Sequence, residues 1–63
     1  MCLSTVYREK ADAASILMKN VMKIECHAGQ ITLTDLMQRQ MTFEGELVEA
    51  DLVGGVAIVK EAV

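Results

Sequence analysis

The groups in this sequence best able to hold a metal are two thiols and one imidazole, those of Cys2, Cys26 and His27. At Cys2 a thiolate can bind alongside backbone nitrogens: its own amine if Met1 is removed, or the Met1 amine and the Cys2 amide if Met1 is kept. Sulfur and nitrogen in a planar array suit a metal that accepts square-planar ligation, whereas zinc prefers a tetrahedron. One such half-site per subunit, brought together at a two-fold axis, would complete a four-ligand set from a dimer. On the residues alone, an incidental cysteine stands beside that reading.

The adjacent pair Cys26 and His27 has the right residue types in the wrong arrangement. Neighbouring side chains on a strand point to opposite faces. Cys26 shares its face with Met22 and Ile24 and reads as a small buried apolar residue. His27 falls with Lys23 and Glu25 and reads as solvated near the Gly29 turn. A single Cys with a single His also falls short of a zinc motif. The five methionines could suggest a soft-metal relay for copper(I). Met18, Met22 and Met41 lie among Ile, Leu, Val and Phe, however, and read as core filling, while Met37 reads as an exposed turn residue or an interface contact. Alternation along Phe43 to Leu52 sends several of Glu44, Glu46, Glu49 and Asp51 outward as a solvated face, and paired catalytic carboxylates would need a cleft for which a domain this small has little room. No phosphate loop, nucleophile elbow or His-Glu-Xaa-Xaa-His arrangement is present. The expectation is a protein that is not an enzyme.

The elements that must carry Cys2 follow from length and patterning. A chain of 63 residues makes one domain, residues 1–63, and buries only about 60% of the surface its unfolded form exposes. Yet 52% of its residues are hydrophobic and 3% aromatic, more apolar surface than so small a core hides; a homodimer interface is the natural place for the excess. Met1 to Lys10 carries polar residues and no long apolar run, so a reduced, cytoplasmic setting is expected. No apolar run approaches the ~20 residues of a spanning helix, and no membrane association is expected. The net charge of -3 and the dispersal of six basic residues (Arg8, Lys10, Lys19, Lys23, Arg39, Lys60) disfavour nucleic acid.

Turn residues divide the chain. Ala28-Gly29-Gln30 separates Val21 to His27 from Ile31 to Leu36, and Gly54-Gly55 separates Leu47 to Val53 from Val56 to Val59. Ile31 and Leu33 alternate with Thr32 and Thr34, and Met22, Ile24 and Cys26 with Lys23, Glu25 and His27. The fold class expected is all-β: consecutive hairpins closing into a small barrel. Asp12 to Cys26 reads two ways. Ala14, Leu17, Met18, Val21, Met22 and Glu25 also share a helical face, with Asp12 as N-cap; in the strand reading, Asn20 marks a tight turn between two strands.

Three stretches carry a resemblance: Met1-Cys2-Leu3, the run Ile16-Leu17-Met18-Lys19-Asn20-Val21-Met22-Lys23-Ile24, and Asp51-Leu52-Val53-Gly54-Gly55-Val56-Ala57-Ile58. Together they resemble the CooT family, small proteins associated with carbon monoxide dehydrogenase maturation, many of which carry the label "predicted RNA-binding protein". The resemblance spans nearly the whole chain. It implies a compact β-barrel that dimerises and binds Ni(II) through Cys2, as a metallochaperone or accessory factor whose partners would be a nickel enzyme or its maturation factors. It also turns Asp12 to Cys26 towards strands. A small RNA-binding barrel is the alternative function.

Overall fold

The computed structural model describes residues 3–62 and contains five strands. They are β1 (Ser4–Arg8), β2 (Ile16–His27), β3 (Gln30–Asp35), β4 (Gln40–Asp51) and β5 (Val56–Glu61), with one 3₁₀ turn at Ala13–Ser15 between β1 and β2. The strands pair in chain order and the sheet closes on itself. Successive strands are antiparallel. The closing pair, β1 with β5, is parallel, running from Thr5 opposite Val56 to Arg8 opposite Val59. The all-β expectation holds, and the sheet is a closed ring of consecutive hairpins.

Both readings of Asp12 to Cys26 contain part of the answer. Asp12 does act as an N-cap, its Oδ1 accepting from the Ala14 N–H at 3.1 Å. The cap starts only the 3₁₀ turn, which ends where Ile16 takes up extended backbone; a β-branched residue is at ease there. From Ile16 the chain is a single twelve-residue strand.

The tight turn expected at Asn20 does not form. Asn20 instead lies inside β2 with φ 57, a left-handed conformation that Asn tolerates better than most residues. Ser4 pairs with Val21 but Val6 pairs with Met18, so β2 carries an extra residue around Asn20: a bulge that bends the strand while pairing continues. A second irregularity follows at once, between Val21 and Lys23 in the pairing with β3. The two together let one strand serve two neighbours, β1 along its first half and β3 along its second.

Two burial expectations are overturned, the first by the bulge at Met22. It breaks the alternation, so Val21 is buried and Met22 is 47% exposed, not part of the core. Cys26 faces Ile31 across the ladder, one pair from the hairpin end, and is exposed as well. His27 is exposed as expected.

The turns behave as their residues dictate. Ala28 and Gly29 both have positive φ (49 and 81), the two-residue hairpin geometry that matches strand twist. The Asp51 carboxylate accepts from the N–H groups of Val53 and Gly54 at 3.2 and 2.8 Å, closing the β4–β5 turn. Inside the ring, Val6, Val21, Ile31, Leu33, Ala57 and Val59 form the core, with Leu17, Met18, Ile24, Met41 and Phe43 packed against it. Full burial of a Val, Leu or Ile side chain contributes about 1.5–3 kcal/mol, so a core of this size is modest. Among the described residues, seven large hydrophobic ones are exposed outside it: Met22, Leu36, Met37, Leu47, Val48, Leu52 and Val53.

Candidate functional site

Cys2, the sequence's metal-ligand candidate, lies outside the described residues. The described chain begins with Leu3, whose carbonyl faces Gly55; a Cβ added there would sit 3.2 Å from that oxygen. The next fastening is the Thr5 N–H, which donates to the Gly55 carbonyl at 2.9 Å. Gly55 itself has φ 69. The glycine pair after β4 therefore does two things: it permits the left-handed turn, and it lets the start of β1 lie against it without a side chain between.

Beside this entry point the surface is concave and mostly apolar. An open depression of about 400 Å³ is lined by Ser4 of β1, by Val21, Met22, Lys23 and Ile24 of β2, and by Leu47, Ala50 and Leu52 around the end of β4. Leu47 belongs to a bulged stretch, since the β4–β5 register shifts between Leu47 and Glu49. The β4 bulge and the Met22 bulge thus turn apolar side chains outward onto one surface. Sequence alternation alone assigned Met22 to the core, because a bulge cannot be read from period two.

The other sequence candidates are not drawn together. Cys26 and His27 are consecutive on β2, both exposed, and Lys23 and Glu25 pair with each other at 3.9 Å. No three His, Cys, Asp or Glu side chains among the described residues are grouped so as to hold a metal ion. Glu44, Glu46, Glu49 and Asp51 lie along β4, all four exposed across the register shift between Leu47 and Glu49, and Asp51 is engaged by its own turn. A second open hollow, about 280 Å³, is bounded by Gly29, Gly45, Glu46, Lys60, Glu61 and Ala62. Gly45 is needed there because a Cβ would collide with the Lys60 carbonyl oxygen.

Sequence reasoning passed over Asp35. This carboxylate is 3% exposed, yet it accepts from the N–H groups of Met37 and Arg39, each at 2.9 Å, and from the Arg39 Nε at 2.8 Å. Burial pushes its carboxyl upward, but the Arg39 hydrogen bonds and charge, with the Met37 N–H, outweigh that and hold it below the ordinary 3.8. Its role is to build the β3–β4 turn. The signal was present as an Asp opening a loop ahead of an Arg four residues on.

The ion pairs bear on the nucleic-acid alternative. Arg8 pairs with Glu61 at 3.1 Å, Lys10 with Asp12 at 3.6 Å, Lys23 with Glu25 at 3.9 Å and Arg39 with Asp35 at 2.8 Å. Four of the six basic side chains thus face carboxylates already. Phe43 packs against the core and Tyr7 is half-buried, so neither offers an open stacking face.

A family model described as CO dehydrogenase accessory protein CooT matches residues 1–60 of the 63. None of the curated proteins matches the chain.

Proposed function

Because the chain belongs to the CooT family of CO dehydrogenase accessory proteins, we propose that it carries nickel, binding Ni(II) through Cys2 at a homodimer interface and delivering it as a metallochaperone to a nickel enzyme or its maturation factors. The accessory role comes with the family, which is not a catalytic one. Nickel is cargo in this reading, and Cys2 is the residue that takes it.

The observation that carries the reading is the family match itself, which runs through residue 1 and so includes Cys2. Chemistry supports the assignment. A thiolate with deprotonated backbone nitrogens forms a planar, strong-field ligand set, which suits Ni(II) better than zinc. The surroundings support it too: Leu3, bonded to Cys2, enters beside an apolar depression, and excess apolar surface is what a subunit interface covers.

Titration of the purified protein with Ni(II), followed by ultraviolet-visible absorption, tests the proposal. Thiolate-to-nickel charge-transfer bands should grow to saturation in the parent and be absent from Cys2→Ser. A folded Cys2→Ser protein that bound nickel as tightly as the parent would overturn it.

A further inference from the structure

We propose that Gly55 is a positioning residue for nickel: having no side chain, it lets the Leu3 carbonyl close on the β4–β5 turn, and so fixes the backbone from which Cys2 extends. This rests on the reading of Cys2 as the nickel ligand and names a residue that aims it.

The supports at the start of β1 converge on this glycine. Parallel pairing of β1 with β5 begins at Thr5, opposite Val56. The Thr5 N–H donates to the Gly55 carbonyl at 2.9 Å, and on the other side Ser4 pairs with Val21 of β2. Leu3 comes next, and a Cβ built on Gly55 would stand 3.2 Å from its carbonyl oxygen, closer than side-chain carbons ordinarily come to a neighbour. The turn that Leu3 meets is itself ordered. Asp51 accepts from the N–H groups of Val53 and Gly54 at 3.2 and 2.8 Å, and Gly55 follows with φ 69. A side chain at position 55 would therefore push the Leu3 carbonyl away from a backbone that is fastened.

Leu3 is one planar peptide from Cys2, their Cα atoms about 3.8 Å apart. A shift of a few tenths of an ångström at the Leu3 carbonyl must be absorbed by turning φ and ψ of Leu3 and Cys2, the same rotations that aim the Cys2 sulfur and nitrogen. Planar thiolate and nitrogen ligation depends on the direction of each donor, and groups that orient ligands without touching the metal are worth about 10–100-fold in affinity. Gly29 separates positioning from mere backbone strain. Its φ is 81, so alanine there is strained in the same way as at Gly55, yet nothing lies within 4 Å of its added Cβ.

Ni(II) titration of the parent and three variants, each checked for folding by circular dichroism, tests the assignment. Gly55→Ala should weaken nickel binding by about tenfold and shift the thiolate charge-transfer bands, which report the ligand geometry. Gly55→Asn, whose side chain tolerates left-handed backbone but still brings a Cβ, should do the same. Gly29→Ala should keep the parent's affinity and band positions although its fold is less stable. In the parent itself, nickel should move the amide resonances of Gly55 and Thr5 and leave that of Gly29 in place, a measurement that needs no variant to fold. Parent-like affinity and bands in a folded Gly55→Ala or Gly55→Asn protein, an equal loss in Gly29→Ala, or a Gly55 resonance untouched by nickel would overturn the positioning role and leave Cys2 standing as the ligand. A parent without charge-transfer bands, or a folded Cys2→Ser protein that binds nickel as the parent does, would overturn the Cys2 reading and this role with it.

Discussion

Asp35 and Arg39 are joined twice across one turn: the Arg39 Nε donates to Asp35 Oδ2 at 2.8 Å and the Arg39 backbone N–H to Oδ1 at 2.9 Å. Burial alone would raise the carboxyl; these bonds, the guanidinium charge and the Met37 N–H bring it below its ordinary value of 3.8. A carboxyl whose folded pKa is depressed stabilises the fold fully above its unfolded pKa of about 3.9, and that stabilisation is lost as pH falls through the folded value. Asp35→Asn should therefore be less stable than the parent at pH 7, since an amide cannot carry the charge and places donors against donors. The gap should narrow below pH 4. Urea midpoints of both proteins at pH 7 and at about pH 2.5 check this; a gap that stays constant across that range would refute it.

Gly45 allows β4 and β5 to pair where a side chain would strike the Lys60 carbonyl oxygen, which is backbone in a ladder and cannot swing aside. Gly29 has open space around its missing Cβ and is required only for its φ of 81. Gly45→Ala should cost on the order of 2–3 kcal/mol by overpacking, and Gly29→Ala about 1 kcal/mol by backbone strain. Stability in a domain of this size is only about 3–9 kcal/mol, so the first change should lower the urea midpoint visibly more than the second. The reverse order would show that the β4–β5 ladder yields more readily than the hairpin turn.

Hairpins, their glycine turns and the outward acidic face were legible because each depends on local chemistry: Gly29 and Gly55 take positive φ, and Glu44, Glu46 and Glu49 need water. Ile31 and Leu33 were legible as a buried face because β3 is regular. What escaped was irregularity. Asn20 looked like a turn because its left-handed preference is real, but tertiary pairing on both sides of it holds the chain in one strand. The bulge at Met22 turns that side chain outward, where simple alternation had assigned it to the interior, while Cys26 keeps the face of Ile24, opposite buried Ile31, and is exposed one pair from the hairpin end. Asp35 escaped because its partners are backbone N–H groups of a turn whose shape it creates. The residue on which the proposed function depends, Cys2, was singled out by its chemistry and by family resemblance, and lies outside the described residues.

Exposure changes what is expected of Cys26. Its thiol faces solvent near the hairpin end, so Cys26→Ala leaves no cavity and should alter stability by less than about 0.5 kcal/mol. Nickel binding should be unaffected, because Cys26 and its neighbour His27 lie outside any group of ligands among the described residues. Denaturation and nickel titration of the single variant measure both. Lost nickel binding in a folded Cys26→Ala protein would move the metal site to the β2–β3 hairpin.

Proton release distinguishes Cys2 from carboxylate ligands. A thiol with an ordinary pKa of about 8.5 is mostly protonated at pH 7, and an amine or amide nitrogen is protonated too, so nickel must displace more than one proton as it binds. Affinity should therefore fall by more than about tenfold for each unit of acidification between about pH 8 and pH 6. Binding through carboxylates such as Glu46 and Glu49, ionised throughout that range, would leave affinity nearly flat. Calorimetric titration in buffers of different ionisation enthalpy counts the protons directly, and the same data give stoichiometry. One nickel per two chains corresponds to a site on the dimer axis completed by both Cys2 thiolates; one per chain corresponds to a Cys2 acting with its own backbone nitrogens. A pH-independent affinity with no proton release would exclude the thiolate and return the search to the acidic face of β4.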